Sequence, residues 1–252
     1  MKEKVKRLCN LCGQEKVLIK SHIIPEGFYY KIYDSKKRLI YSSKSRQSLK
    51  YLQKGEREHL LCKECDGDVI GVYDRYATEV IRSKKHIISQ ENDRFLKWSN
   101  LEYNKFKLFH LSVLWRAHLA QERFKGVNLS TEIANQLRKI ILSGIAPVEN
   151  EFPVYGCKLI DPIKSANCDE IVTNGNCYTR LEEPNIQVYI FIFGGFAWMY
   201  IVPKSNEDDP QKDIFLKPSG DIILPKENIR DFQPFKDIYA SILQVASSNS
   251  RK

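Results

Sequence analysis

Apolar residues recur at helical spacing in three segments of the chain, and they share one helix face because an α-helix takes 3.6 residues per turn. The first predicted helix covers residues 66–82. The second covers residues 106–124, and the third covers residues 130–142, with Ser130 as its N-cap and Gly144 after its last turn. The apolar positions of the first helix are Val69, Ile70, Tyr73, Ala77, Val80 and Ile81.

Residues 84–104 lack this spacing and are predicted to be a connection. From residue 150 onward the chain consists of short segments rich in β-branched and aromatic residues, which is typical of strands. The pairs Gly194-Gly195 and Ser219-Gly220 suit tight hairpin turns. The predicted strands cover residues 154–160, 171–174, 187–193, 196–202, 214–216 and 221–224, and a closing helix is predicted over residues 235–245.

The N-terminal part carries the pattern of one strand and one long loop. Residues 16–24 predict a strand, and Pro25 marks its end. Residues 34–58 are polar and rich in Lys, Arg and Ser, and they predict a loop. Together the elements predict an α+β protein of two domains. An N-terminal module covers residues 1–88, and residues 89–252 combine a helical pair with a mainly antiparallel β-sheet.

The apolar stretches argue against a membrane protein. The longest, residues 186–203, is interrupted by Gln187 and by two adjacent glycines, and it predicts a hairpin rather than a membrane span. Residues 1–7 contain no apolar core of the kind a signal peptide needs. We therefore expect a soluble, cytoplasmic protein with no membrane partner.

The net charge of +9 is concentrated at one end of the chain. Residues 1–60 contain 15 Lys and Arg against 6 Asp and Glu, whereas the remaining 192 residues contain 25 of each sign. A basic segment joined to a neutral one is typical of a polyanion-binding protein, because phosphate neutralisation needs the charges on one surface. The alternative is a basic face that only keeps the protein soluble.

Two CxxC pairs bracket the basic segment. Cys9 and Cys12 form the first pair, with Gly13 at the following turn, and Cys62 and Cys65 form the second, directly before the predicted helix. Two such pairs can supply four thiolates to one tetrahedral zinc ion. The order of knuckle, hairpin and knuckle leading into a helix predicts a treble-clef zinc module. Two disulfides or unrelated buried cysteines are the alternatives, and an intracellular setting and the repeated spacing disfavour them.

The other cysteines and two helix histidines are assigned to the core rather than to a site. The cysteines follow no metal-ligand spacing, and the histidines lie on an apolar helix face. These residues are Cys157, Cys168, Cys177, His110 and His118.

Residues 8–80 carry three fragments that match a known pattern. They are Cys9-x-x-Cys12-Gly13, then Ser21-His22-Ile23-Ile24-Pro25, then Leu60-Leu61-Cys62-x-x-Cys65-Asp66. Together they resemble the HNH, or ββα-metal, endonuclease superfamily, and most closely its four-cysteine members of the phage endonuclease VII type. The resemblance implies that His22 is the general base and that Asp66 is a ligand of a catalytic divalent cation.

The same roles follow from the chemistry of phosphodiester hydrolysis. The reaction needs an activated water near neutral pH and a cation that stabilises charge on the phosphate. An imidazole titrates near neutral pH, and a carboxylate such as Asp66 at the positive end of a helix can hold Mg²⁺ or Mn²⁺. Packing and surface roles remain the alternatives for His22 and Asp66.

Ser21 departs from the family pattern, which has an aspartate metal ligand before the histidine. A hydroxyl can coordinate Mg²⁺ but supplies no charge, so Ser21 is a candidate ligand of reduced strength. Asp74 is the second-choice ligand, because it lies eight residues after Asp66 on roughly the same helix face. The resemblance places an acid at this position too. Other residues that could replace the missing aspartate ligand are Asp68, Glu58 and His59.

We therefore expect a metal-dependent HNH-type endonuclease that hydrolyses phosphodiester bonds, with DNA favoured as substrate. The cofactors would be structural Zn²⁺ and catalytic Mg²⁺ or Mn²⁺. The resemblance implies a restriction or phage-defence role, and the C-terminal domain would select substrate, a partner protein or a second copy. The candidate nucleic-acid contacts are Lys20, Lys36, Lys37, Arg38, Lys44, Arg46, Lys50 and Lys54.

Two other functions fit the same residues. Because Ser21 stands in for an aspartate, the module could be a zinc-dependent nucleic-acid-binding protein without catalysis, which predicts salt-dependent binding and no cleavage. The zinc module could also be an adaptor for another protein, whose binding would be insensitive to salt and to nucleic-acid digestion.

Overall fold

The computed structural model describes residues 6–36, 38–43, 46–53, 55–120, 122, 124–162, 166–173, 175–180, 183–205, 208–233 and 236. Within these residues the chain is a mixed α+β protein with three α-helices and two main sheets. None of the helices described combines the length and the apolar character needed to cross a membrane.

The N-terminal sheet has three antiparallel strands in the order β1-β2-β5. The predicted strand is confirmed as β2, and β5 leads into the second cysteine pair; a bulge interrupts their pairing between Ile19 and Lys20. After β5, a π-helical segment over Cys65–Ile70 continues into α1, which confirms the first predicted helix. The bounds are β1 Lys6–Leu8, β2 Glu15–His22, β5 Arg57–Cys62 and α1 Gly71–Ser83.

The predicted loop over residues 34–58 is wrong in part, because it contains a hairpin of β3 (Arg38–Ser43) and β4 (Arg46–Gln53). Each strand holds a short β-forming run, and the backbone of Leu39 is paired with that of Leu52 in the ladder. The lysines and serines around these runs obscure the strand pattern in the sequence. A hairpin can nevertheless form, because it does not require a continuous apolar face.

The helical pair is confirmed as α2 (Tyr103–Leu119) and α3 (Thr131–Ser143). The Oγ of Ser130 accepts a hydrogen bond from the backbone N–H of Ile133 at 3.2 Å, as expected for an N-cap. The predicted connection over residues 84–104 is wrong, because it contains strands β6 (Ile88–Glu91) and β7 (Phe95–Ser99).

The second sheet has eight strands in the order β10-β11-β12-β8-β13-β7-β6, with β9 paired to β8. The β8–β13 pair is parallel and the others are antiparallel, which confirms a mainly antiparallel sheet. Two predicted strands are wrong: residues 171–173 lie outside the strands, and Lys212–Ile214 is a 3₁₀ turn. The predicted closing helix falls, except for residue 236, outside the described residues. The remaining bounds are β8 Val154–Asp161, β9 Ala166–Asn167, β10 Asn176–Arg180, β11 Glu183–Phe193, β12 Phe196–Val202 and β13 Ile222–Asn228.

Helix α2 lies at the centre of the molecule, because the side chains of residues 106–117 are all buried. One cluster of buried residues joins the N-terminal segment to the second sheet, including Ile81 of α1 and Trp198 of β12. The Gly194 turn between β11 and β12 packs so closely on α1 that an added Cβ would lie 2.6 Å from Cγ2 of Ile81. The two predicted domains therefore share a core, and α2 can contribute to a site on the N-terminal segment.

Candidate metal centre and adjoining cleft

The four cysteines of the two CxxC pairs converge on one point. Their sulfur atoms all lie within 4.8 Å of one another, and three of the four residues are buried. A zinc ion with Zn–S bonds of about 2.3 Å requires sulfur–sulfur distances of about 3.8 Å, so small adjustments would close a tetrahedron. The thiols are therefore positioned to hold a metal ion and are compatible with structural zinc. These residues are Cys9, Cys12, Cys62 and Cys65.

The backbone around the first pair forms the tight turn that two converging thiols require. Gly13 has a φ of +74° and its N–H donates to the carbonyl oxygen of Cys9 at 2.8 Å. The N–H of Cys62 donates to the Sγ of Cys9 at 3.3 Å, which links the two pairs directly. From α3, Arg138 Nε donates to the carbonyl oxygens of Asn10 and Leu11 at 2.9 and 2.7 Å. The second half of the chain thus holds the first turn in place.

Burial and mutual hydrogen bonding shape the acidity of these thiols. Burial raises the pKa of Cys62 and of Cys65, and for Cys65 the hydrogen bonds to Cys62 and Cys12 raise it further. Burial also raises the pKa of Cys9, but hydrogen bonds led by the Cys62 N–H outweigh it and bring the value to about 7. A bound cation would favour the thiolate forms, since a coordinating thiol is deprotonated.

A cleft of about 440 Å³ lies next to this cluster, between the end of β2, the 3₁₀ turn Glu26–Tyr29, α1 and α2. It brings together three residues that the sequence analysis selected, namely His22, Asp66 and Asp74. His22 is the last residue of β2, and Asp66 directly follows Cys65. The strand that ends at His22 follows the first cysteine pair, and Asp66 follows the second pair, so the cysteine cluster joins the two elements that carry these residues.

Ser21 is not part of this cleft. It is fully buried, and among the described residues its Oγ has no hydrogen-bond partner. The reason is strand alternation, which points neighbouring side chains of β2 to opposite faces. The substitutes Asp68, Glu58 and His59 do not line the cleft either.

Asp74 is held by an arginine that the sequence analysis did not select. The two carboxylate oxygens of Asp74 accept hydrogen bonds from Nη1 and Nη2 of Arg116 in α2, at 2.9 and 2.7 Å. Burial raises the pKa of Asp74, and the Arg116 charge opposes this rise. A charged residue within the apolar run around Trp115 was the available signal, because a buried charge needs a partner.

The cleft does not contain a preformed cluster of three metal ligands. Over the described ranges, the cysteine quartet is the only group of three or more His, Cys, Asp or Glu whose donor atoms all lie within 4.8 Å of one another. A divalent cation held by Asp66 would therefore keep several waters, which is usual for Mg²⁺.

Among the described residues, the exposed positive charge that lines the cleft comes from helix α1. Arg75 and Arg82 are exposed and line the cleft, and the Arg82 guanidinium lies 5.4 Å from the centre of the Tyr30 ring. They are seven residues apart, which places them on one face roughly 10 Å apart along the helix axis.

The predicted nucleic-acid contacts lie elsewhere or outside the described part of the chain. Lys20 and Lys36 are exposed, and Arg38 pairs with Asp34 at 2.7 Å. Arg46 and Lys50 lie on β4, but their side chains are not among those described. Lys37, Lys44 and Lys54 are outside the described residues.

The core assignments hold for His110, Cys157 and Cys168, whereas His118 is half-buried. His110 is fully buried, and its Nδ1 lies 3.0 Å from the Tyr200 hydroxyl. His118 Nδ1 accepts a hydrogen bond from the Leu129 N–H at 3.2 Å. Cys157 and Cys168 are buried, whereas the side chain of Cys177 is not described.

Comparisons of the chain with protein-family profiles, with curated proteins and with solved structures found no match.

Proposed function

We propose that this protein is a metal-dependent endonuclease of the HNH type that hydrolyses phosphodiester bonds in DNA. Its N-terminal segment would be a treble-clef module with structural zinc on the four cysteines. The observation that carries the proposal is a single cleft lined by both His22, which ends the strand after the first cysteine pair, and Asp66, which directly follows the second pair. The strand–strand–helix order of β2, β5 and α1 agrees with the ββα layout of that superfamily.

In this proposal His22 and Asp66 have separate roles in the reaction. His22 accepts the proton of the attacking water. Asp66 lies in the first turn of the helical segment, where the positive helix end favours an anion, and it would bind Mg²⁺ or Mn²⁺. The divalent cation would supply charge stabilisation to the phosphate and the leaving oxygen.

The two exposed arginines of α1 would bind the DNA backbone on either side of the scissile phosphate. We expect the double variant Arg75→Gln/Arg82→Gln to bind duplex DNA more weakly and to lower the slope of log K against log salt by about 2, since each phosphate contact contributes about 0.9. Fluorescence anisotropy at several salt concentrations measures this. Arg94→Gln, which removes an exposed arginine outside the cleft, is the matched control. An unchanged slope in the double variant would remove these arginines from the interface.

The test of the proposed function is cleavage by the full-length, zinc-loaded protein. Supercoiled plasmid is expected to be nicked or linearised when Mg²⁺ or Mn²⁺ is added and to stay intact when only zinc is present. Intact plasmid under every divalent metal, together with salt-dependent DNA binding, would reject catalysis.

That outcome would favour the second candidate, a DNA-binding protein without catalysis. Two observations support it: Ser21 is buried away from the cleft, and both oxygens of Asp74 are engaged by Arg116. Of the other acidic residues that line the cleft, Glu79 pairs with His86, which leaves Asp66 and Glu26 as acidic groups for a cation.

A further inference from the structure

The buried side chain of Arg116 links the strand and the helix that form two walls of the cleft. It extends from α2, which belongs to the predicted second domain, residues 89–252, and its side chain is only 1% exposed. Besides both oxygens of Asp74 in α1, it reaches the end of β2, where its Nη1 donates to the carbonyl oxygen of His22 at 2.8 Å. One guanidinium thus joins the strand that carries the proposed base to the helix that carries Asp74.

All five N–H donors of Arg116 are used inside the protein. Nε donates to the Ser112 carbonyl oxygen at 3.2 Å and Nη2 donates to Ser112 Oγ at 3.2 Å, in addition to the three bonds to His22 and Asp74. A guanidinium has five donors in a rigid planar fork, so none is left for a phosphate oxygen. Arg116 therefore acts on other residues and not on substrate.

The bond to His22 fixes the backbone that carries the imidazole. On one side of the peptide between residues 22 and 23, the His22 carbonyl oxygen accepts from Arg116. On the other side, the Ile23 N–H donates to the Glu56 carbonyl oxygen at 3.3 Å. With both polar groups of this peptide held, rotation of the backbone at His22 is restricted.

We infer that Arg116 is a positioning residue for the cleft, which holds His22 and Asp74 in fixed relative positions and makes the N-terminal module dependent on α2 for activity. This inference rests on the proposed function. It also means that the site is built from both predicted domains and not from residues 1–88 alone.

The test compares Arg116→Lys, Arg116→Met and the matched control Lys107→Met in the full-length, zinc-loaded protein. Lys107 is also buried in α2, and its Nζ donates to the Val148 carbonyl oxygen at 2.6 Å, outside the cleft. Replacing Lys107 therefore shows how the loss of a buried charge in α2 affects stability, while the contacts of His22 and Asp74 stay unchanged. Each variant is assayed below its melting temperature for kcat, for KM of DNA and for thermal stability.

We expect Arg116→Met to lower kcat by about 100-fold, since misplacing a reacting group by about 1 Å has that effect. Arg116→Lys keeps the positive charge but loses the planar guanidinium with its five donors. It should therefore lower kcat by about 10-fold, with KM within about twofold of the wild-type value. Lys107→Met should lower the melting temperature while kcat stays within about threefold.

If Arg116→Met does not fold, Arg116→Lys carries the test. Arg116 variants that cleave like the wild type, or that lose kcat only in proportion to Lys107→Met, would overturn the inference.

A readout without activity separates this inference from the proposed function. In ¹³C-histidine-labelled protein, the His22 ring signal, assigned with His22→Ala, is expected to be single in the wild type and broadened or doubled in Arg116→Lys. If the wild type does not cleave DNA, the proposed function fails, yet this signal still tests the positioning. A His22 signal unchanged by Arg116→Lys would reject it.

Discussion

Replacing His22 by alanine is expected to lower metal-dependent DNA cleavage by about 10²- to 10⁴-fold, the usual contribution of a positioned general base. His22 lines the cleft together with Asp66, and its backbone carbonyl oxygen accepts a hydrogen bond from Arg116 at 2.8 Å. Without the proposed base, the attacking water would have to lose its proton to solvent. Single-turnover cleavage of a labelled duplex with Mn²⁺ measures the rate.

His59→Ala is the matched control for this variant. His59 is an exposed histidine on the neighbouring strand β5, and its Nδ1 lies 3.1 Å from the Leu18 carbonyl oxygen, outside the cleft. It should cleave at the wild-type rate, and both variants should keep their zinc and their affinity for DNA. Equal rates for His22→Ala and the wild type would remove His22 from the mechanism.

Replacing Cys62 by alanine is expected to release the structural zinc and to destabilise the whole protein. Four-ligand zinc sites contribute about 10–16 kcal/mol of apparent binding free energy in small zinc domains. A loss of only about 5 kcal/mol would lower the melting temperature by roughly 10–20 °C for a chain of this size. Because the N-terminal segment shares its core with the second sheet, the destabilisation should extend beyond residues 1–88. Elemental analysis and calorimetry measure the two effects.

Cys157→Ala controls for the loss of a buried thiol as such. Cys157 is a buried cysteine of β8 that lies outside the metal cluster, so its variant should keep one zinc per chain and lose only packing contacts. A wild-type protein without zinc, or a Cys62→Ala variant with wild-type zinc content and melting temperature, would contradict the assignment of these thiols to a zinc site.

The sequence by itself determined the features that local spacing controls. The separation of two residues within each CxxC pair and the turn at Gly13 predicted the thiol cluster that the structure assembles. Helical periodicity predicted α1, and the strand ending at His22 was predicted by its apolar run and by Pro25. These signals lie within a few residues of one another, so they depend little on the rest of the chain.

The tertiary structure decided which side chains meet in the cleft. Arg116 lies 94 residues from His22 and 42 from Asp74 along the chain, and only the packing of α2 against α1 brings them together. The same packing places both carboxylate oxygens of Asp74 in contact with Arg116. Ser21 is buried because its side chain lies on the face of β2 that is turned toward the core. Spacing along a sequence fixes a helix or strand face, but the partner of that face depends on how distant elements pack, which periodicity does not encode.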